Sequence, residues 1–261
     1  MPLHLNKPAL RALGIAESFQ RPSTSTLFRP SFDRSPANPP TVNSPADNSP
    51  SVNPPAVNSP SVNSPAVNSP AVNSPAVNSL SANQCSANPR SILAGVVMRA
   101  DRRVDGLVYA HATVGGDDAT EAVLNLYRRL ERRDINALLL GGAVISWFNI
   151  IDLDEVFEEI KRPLVCLTYE ESAGLEKYLR EYFPGSKEKI ERYRSLGGRE
   201  RMRLKTGHEI YVRVHGATVE EARILLNKFT LDGRVPEPVR LARMAARAAR
   251  KIEEGLASGS E

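Results

Sequence analysis

The sequence predicts an α/β chain on one mixed sheet, in which a three-strand antiparallel meander is followed by parallel strands with helical crossovers, and helices cover both faces. Three observations carry this. From residue 106 onward, apolar runs of strand length alternate with amphipathic stretches of helical period. The runs "SILAGVVMRA" (91–100) and "GLVYAHATV" (106–114) are separated only by "DRRVDG", the mark of a hairpin. Residues 21–90 are built almost wholly from Ser, Pro, Asn, Ala and Val. Setting them aside leaves roughly 190 residues, enough for one well-buried core.

Taken in order, residues 10–16 read as a short apolar strand with Glu17 just beyond it. The low-complexity segment follows. From 41 to 90 it divides into five-residue units (TVNSP, ADNSP, SVNPP, then repeated AVNSP) that decay through "SANQC" to "SANPR". A fixed period invites a solenoid reading. Against it, the unit's centre is Asn, its apolar residue is only Val, and a proline in nearly every unit interrupts any hydrogen-bonded ladder. The composition predicts a disordered, partly polyproline-II insertion, a loop between the first two strands that a core tolerates because closure cost grows slowly with length.

After the hairpin, "DATEAVLNLYRRLERRD" (118–134) reads as a helix with Ala119, Val123, Leu126 and Leu130 on one face. "INALLLGGAV" (135–144) reads as a buried strand. "DLDEVFEEIK" (152–161) is a helix opened by a capping box from Asp152 to Glu155. "RPLVCLTY" (162–169) is a fifth strand. Helices follow in "ESAGLEKYLREYF" and "SKEKIERYRSLG", a late strand in "HEIYVRVHG" (208–216), a helix in "TVEEARILLNKFT", and a long helix after "VPEP". The pattern fits a ribonuclease H-like sheet, although periodicity alone also admits other mixed α/β folds.

Composition limits the function classes. The insertion holds Arg21, Arg29, Arg34 and Arg90 against Asp33 and Asp47, so the remainder carries 30 basic and 28 acidic residues. That balance does not by itself argue for a nucleic-acid partner. Cys85 and Cys166 suit a reducing cytoplasm rather than a disulfide framework. No apolar run approaches the ~20 residues of a membrane span, the N-terminus lacks a signal-peptide core, and His4, His111, His208 and His215 have no zinc-like spacing.

Metal-dependent phosphodiester cleavage needs converging hard oxygen ligands. Glu17 is the one acid near the end of the first strand, and reads either as a ligand or as a solvent-facing residue. In "VGGDDATEAV", Asp117 and Asp118 follow two glycines and open a helix; Asp118 with Glu121 is either a capping box or a ligand. Trp147 and Phe148 suit base stacking or a core, and Asn149 suits a base edge or a turn. Two basic stretches have the spacing of phosphate contacts or of solvated helix faces: Lys187 to Lys205, including Arg199, Arg201 and Arg203, and the series Arg240, Arg243, Arg247 and Arg250. No Walker or dinucleotide fingerprint is present.

Four segments together resemble a known family. "LRALGIAESF", "LAGVVMRADRRVDGLVYAHATVGGDDAT", "LLLGGAVISWFNIIDLDEV" and "GRVPEPVRLARMAA" are similar, in order and spacing, to the archaeal endonuclease dU family, related to endonuclease V. The resemblance implies a ribonuclease H-like fold in a single domain over 1–257, interrupted by 21–90, with a short tail at 258–261. It also implies a Mg²⁺-dependent (or Mn²⁺-dependent) endonuclease acting on deoxyuridine-containing DNA in DNA repair. Glu17 and Asp118 would be the catalytic ligands, joined by Asp117; Trp147, Phe148, Asn149, Arg199, Arg201, Arg203 and Lys205 would contact nucleic acid. The departures fall on the chemistry. Ala16, Gly115 and Gly141 stand where the family pattern has carboxylates. Adjacent strand residues point to opposite faces, so Glu17 is a poor substitute for an acid at 16. The alternative is a catalytically impaired nucleic-acid-binding or scaffold protein of the same fold.

Overall fold

A computed structural model describes residues 5, 9–18, 89–171 and 174–258 of the chain. These all fall in one compact unit, Met1–Pro22 with Ser86–Glu261. The expectations for the repeat, for the rest of the insertion up to residue 88 and for residues 259–261 of the tail lie outside the described residues.

β1 (Arg11–Ser18), β2 (Arg90–Arg99) and β3 (Val104–Thr113) form the antiparallel meander. β1 pairs in parallel with β4 (Ala137–Leu140), and β4 in parallel with β7 (Leu164–Thr168). β9 (Glu209–His215) then runs antiparallel to β7, and β8 (Glu200–Arg203) antiparallel to β9. The order β3-β2-β1-β4-β7-β9-β8 gives a seven-stranded mixed sheet, the ribonuclease H-like arrangement. Two short strands, β5 (Val144–Ile145) and β6 (Asn149–Ile150), make a separate ribbon.

Helices cover both faces. α1 (Ala119–Arg129) and α2 (Leu153–Ile160) pack with Leu13, Ile15, Leu93 and Leu138 on one side. α5 (Val219–Phe229) and α6 (Glu237–Ser258) pack with Ala12, Ala16, Val96 and Leu139 on the other. α3 (Glu176–Tyr182) and α4 (Lys187–Ser195) follow β7. Between two covered faces, β1 is apolar on both sides and reads as a continuous run rather than an alternation. Each buried Leu or Ile there stabilises the fold by roughly 1.5–3 kcal/mol. A Cβ on Gly14 would stand 2.3 Å from the Pro238 carbonyl carbon. The first turn of α6 therefore rests directly on the β1 backbone.

Several boundaries differ from the sequence reading. β1 continues to Ser18, which places Glu17 inside the strand. Arg90 belongs to β2 rather than to the insertion. α1 stops at Arg129, and Glu131 turns the chain at φ 50°. β4 ends at Leu140, because Gly142 adopts φ 142°, a conformation closed to most side chains. β8 was read only as a basic stretch. Among the described residues, no helix is long and apolar enough to cross a membrane.

Candidate functional site

Glu17 lies near the C-terminal end of β1, on the face opposite Ala16. Its carboxylate accepts the Ser146 N–H on both oxygens (2.9 and 2.8 Å) and the Ser146 hydroxyl at 2.7 Å. The Ser91 hydroxyl lies against that of Ser146 and bonds Glu17 as well. Burial pushes the Glu17 carboxyl above its ordinary value, more than these hydrogen bonds pull it down. No cation pairs with it among the described residues.

Ser146 belongs to a tight ribbon turn. Ser146, Trp147 and Phe148 all adopt left-handed backbone, at φ 44°, 59° and 61°. Three consecutive non-glycine residues in that region store strain, which the surroundings must hold. They do so from three sides. Glu17 takes the Ser146 N–H. The Gly115 N–H donates to the Ser146 carbonyl at 2.7 Å. Lys189, only 4% exposed, donates to the carbonyls of Phe148 (3.2 Å) and Gly116 (2.7 Å) and lies over the Phe183 ring.

The structure reassigns Asp118. Its side chain makes no helix cap. It turns back to accept the Thr113 N–H (3.0 Å), the Thr113 hydroxyl (2.7 Å) and the Asn149 amide (2.6 Å). Burial pushes its carboxyl up, but these bonds outweigh it and hold the group below the usual carboxylate range. Glu121, the other half of the expected capping box, pairs with Arg128 at 3.0 Å. The first N–H of α1 goes instead to Asn149 Oδ1, at 2.9 Å. Asn149 is fully buried, and its amide also donates to the Thr113 carbonyl. With both donors engaged and no exposure, it positions the 113–118 turn and has no free edge for a base. Asp152 is the N-cap of α2, accepting the Glu155 N–H at 3.0 Å.

Asp117 does not turn toward Glu17. It pairs with Lys189 Nζ at 2.8 Å and lies 3.6 Å from Arg192. Among the described residues, no three His, Cys, Asp or Glu side chains gather as a metal site. Positions 16 and 141 do converge: a Cβ built on Gly141 falls 3.6 Å from that of Ala16 and 3.1 Å from Val239. The two places where the resemblance expects carboxylates are thus neighbours in space, and neither carries a donor. The acids present are bound to protein donors, so the described residues do not fit a Mg²⁺ centre. A small cleft of about 250 Å³ opens here, lined by Ile15, Ala16, Glu17, Gly141, Gly142 and Ile145.

Trp147 and Phe148 are half-buried at its rim. They meet edge-on at 5.3 Å and pack on Tyr182 at 5.5 and 5.7 Å. Arg199, Arg201, Arg203 and Lys205 lie on and beside β8, four strands from β1, roughly 19 Å by strand spacing. Arg201 pairs with Glu209 at 2.6 Å, and Arg199 lies over Tyr211. The α6 arginines do not form one series: Arg240 holds Glu237, Arg250 lies 3.6 Å from Glu254, and Arg243 stacks on Tyr169. Sequence reasoning passed over Ser146, Ser91 and Lys189. Lys189 was one lysine among many in a basic stretch, and no local pattern marks a serine whose N–H meets a carboxylate 129 residues away.

A family model described as "Endonuclease dU" matches residues 78–250. A UPF0215 protein of Pyrobaculum aerophilum is 33% identical over 167 residues, 64% of this chain and 89% of that protein. A UPF0215 protein of Pyrobaculum calidifontis is 36% identical over 162 residues, 62% of this chain and 89% of its own length. Among solved structures, a protein of unknown function from Archaeoglobus fulgidus superimposes with a TM-score of 0.57 at 20% identity, covering 92% of this chain and 98% of that one. This last likeness concerns the fold.

Proposed function

The chain belongs to the endonuclease dU family, and from that premise we propose that it is a nucleic-acid-binding member whose own metal centre has been dismantled. One observation carries the reading. Both surviving acids are consumed by the scaffold, Glu17 by Ser146 and Asp118 by Thr113 and Asn149, while Ala16 and Gly141 meet where ligands would have to stand. On this reading Trp147 offers a stacking face, worth ~1–3 kcal/mol per base in known cases, and the exposed Arg201, Arg203 and Lys205 contact phosphates. DNA is the expected nucleic acid and the cytoplasm the expected compartment.

A second reading has one observation of its own. Glu17 is a half-buried carboxylate at the cleft with no cation against it among the described residues. If a divalent ion were recruited there, Glu17 would be its principal protein ligand, with Asp118 and Asp117 released from their present partners. Such an ion would supply an activated water for cleavage of deoxyuridine-containing strands. A cleavage assay with Mg²⁺ or Mn²⁺ on deoxyuridine- and deoxyinosine-containing strands separates the two. The first reading expects binding without cutting by the natural protein, and cutting only after Ala16→Asp with Gly141→Asp. Robust cutting by the natural protein that Glu17→Ala abolishes would establish the second.

A further inference from the structure

α6 is longer than the sheet beneath it. Its inner side runs through Val239, Ala242 and Ala246, all buried, and Ala249, which packs with Ile92, Ala94 and Tyr109. Continued at helical spacing, the same side takes in Ile252, Glu253 and Leu256. By then the helix has reached β3, the edge strand, where Glu253 meets His111 Nε2 at 3.0 Å. Beyond that edge no strand of the sheet lies under it. Ile252 is 63% exposed and Leu256 71%.

The same face of β3 is bare toward its other end. Leu107 is opposite Val96 and Val104 opposite Met98, both on the α6 side of the sheet. Yet Leu107 is 52% exposed and Val104 54%. One edge of one chain therefore carries a projecting apolar helix end and, further along, an uncovered apolar patch.

The geometry points to a second copy of this chain as the occupant of both. A two-fold axis normal to the sheet, near the middle of β3, sets the two β3 edges side by side. Each α6 end then lies over the other copy's Leu107 and Val104. Such an isologous contact uses the same two surfaces twice. Charge agrees with it: the helix end carries Glu253, and the bare end of β3 is flanked by Arg102 and Arg103, the Arg103 side chain being 79% exposed. The backbone of the edge is shielded, since Arg129 donates to the Tyr109 carbonyl at 3.0 Å and Arg132 to that of Asp105. Shielding of this kind discourages indiscriminate strand pairing, so apolar side chains carry the association.

Light scattering on the full chain at about 100 µM, a concentration at which even a small interface is populated, is expected to give about twice the 28.6 kDa of one chain. Ile252→Asp and Leu107→Asp are each expected to halve that mass while leaving the circular dichroism spectrum unchanged. In a Cys85→Ser background, mixing Leu107→Cys chains with Ile252→Cys chains is expected to yield a disulfide-linked heterodimer, identified by mass. A monomer at that concentration, or a dimer that both aspartate variants leave intact, would overturn the proposal.

Discussion

The two ends of β1 treat their carboxylates in opposite ways. At the start of the strand, Arg11 Nε meets Asp105 at 2.5 Å, and Arg132 bridges Asp105 and Asp134 at 2.8 Å each. The bonds from Arg11 and Arg132 hold the Asp105 carboxyl at about 2. Six residues along, Glu17 has only N–H and hydroxyl donors, and burial pushes its carboxyl up. The first end is a closed charge network that ties β1 to β3 and to the turn before β4. The second leaves an anion without a counter-charge among the described residues. In one strand, structural and functional acids are told apart by whether the partner is a cation.

The hardest way to break the contrast is at Lys189, the one buried cation near the Glu17 end. Lys189→Met removes the donor to the Gly116 and Phe148 carbonyls and leaves Asp117 without its nearest partner. Breaking a buried, hydrogen-bonded charge costs about 3 kcal/mol, and urea denaturation should register a loss near that size with an unchanged m-value. Next in size is Asp105→Asn, which should lower the melting temperature by several degrees. Asp105 has a lowered carboxyl, so its contribution is present above about 4, the unfolded value, and is lost as pH falls toward about 2. The acid limb of a stability-versus-pH curve should therefore flatten in the variant.

Glu17→Gln should act with the opposite sign. A raised carboxyl weakens the fold where it is ionised, so the natural protein gains stability relative to the variant as pH falls through the raised value toward 4.5. At pH 7 the substitution should be neutral or slightly stabilising by thermal melts, whereas a drop comparable to that of Asp105→Asn would erase the contrast. The smallest effect concerns metal. Millimolar Mg²⁺ should leave the natural protein's melting temperature unmoved and raise that of the Ala16→Asp, Gly141→Asp variant by a few degrees, through mass action on the folded state.

Much of this was legible in the sequence because it is periodic. The meander, the parallel strands and most helices announce themselves by apolar spacing over eight or more residues. β8 had a signal too: Arg201, Met202, Arg203 and Leu204 alternate exposed and buried, but their charge drew attention away from the period of two. The site was legible only in part. Glu17, Asp117 and Asp118 could be named as acids, and their partners could not. The bonds that decide their roles run from Ser146 to Glu17 and from Asn149 to Asp118, across 129 and 31 residues. The capping box at Asp118 failed for the same reason: a local rule lost to a buried amide from another turn.

The contact between Gly14 and the start of α6 bears on the order in which the chain can mature during synthesis. More than two hundred residues separate β1 from the helix that seals its Ala12, Gly14 and Ala16 face. At ribosomal speeds that is a delay on the order of ten seconds or more. Until α6 emerges, the centre of the sheet has one open apolar side. A nascent chain stalled before residue 237 would present that side to whatever stands nearest the ribosome exit, which makes the protein an expected client of chaperones that bind emerging apolar strands.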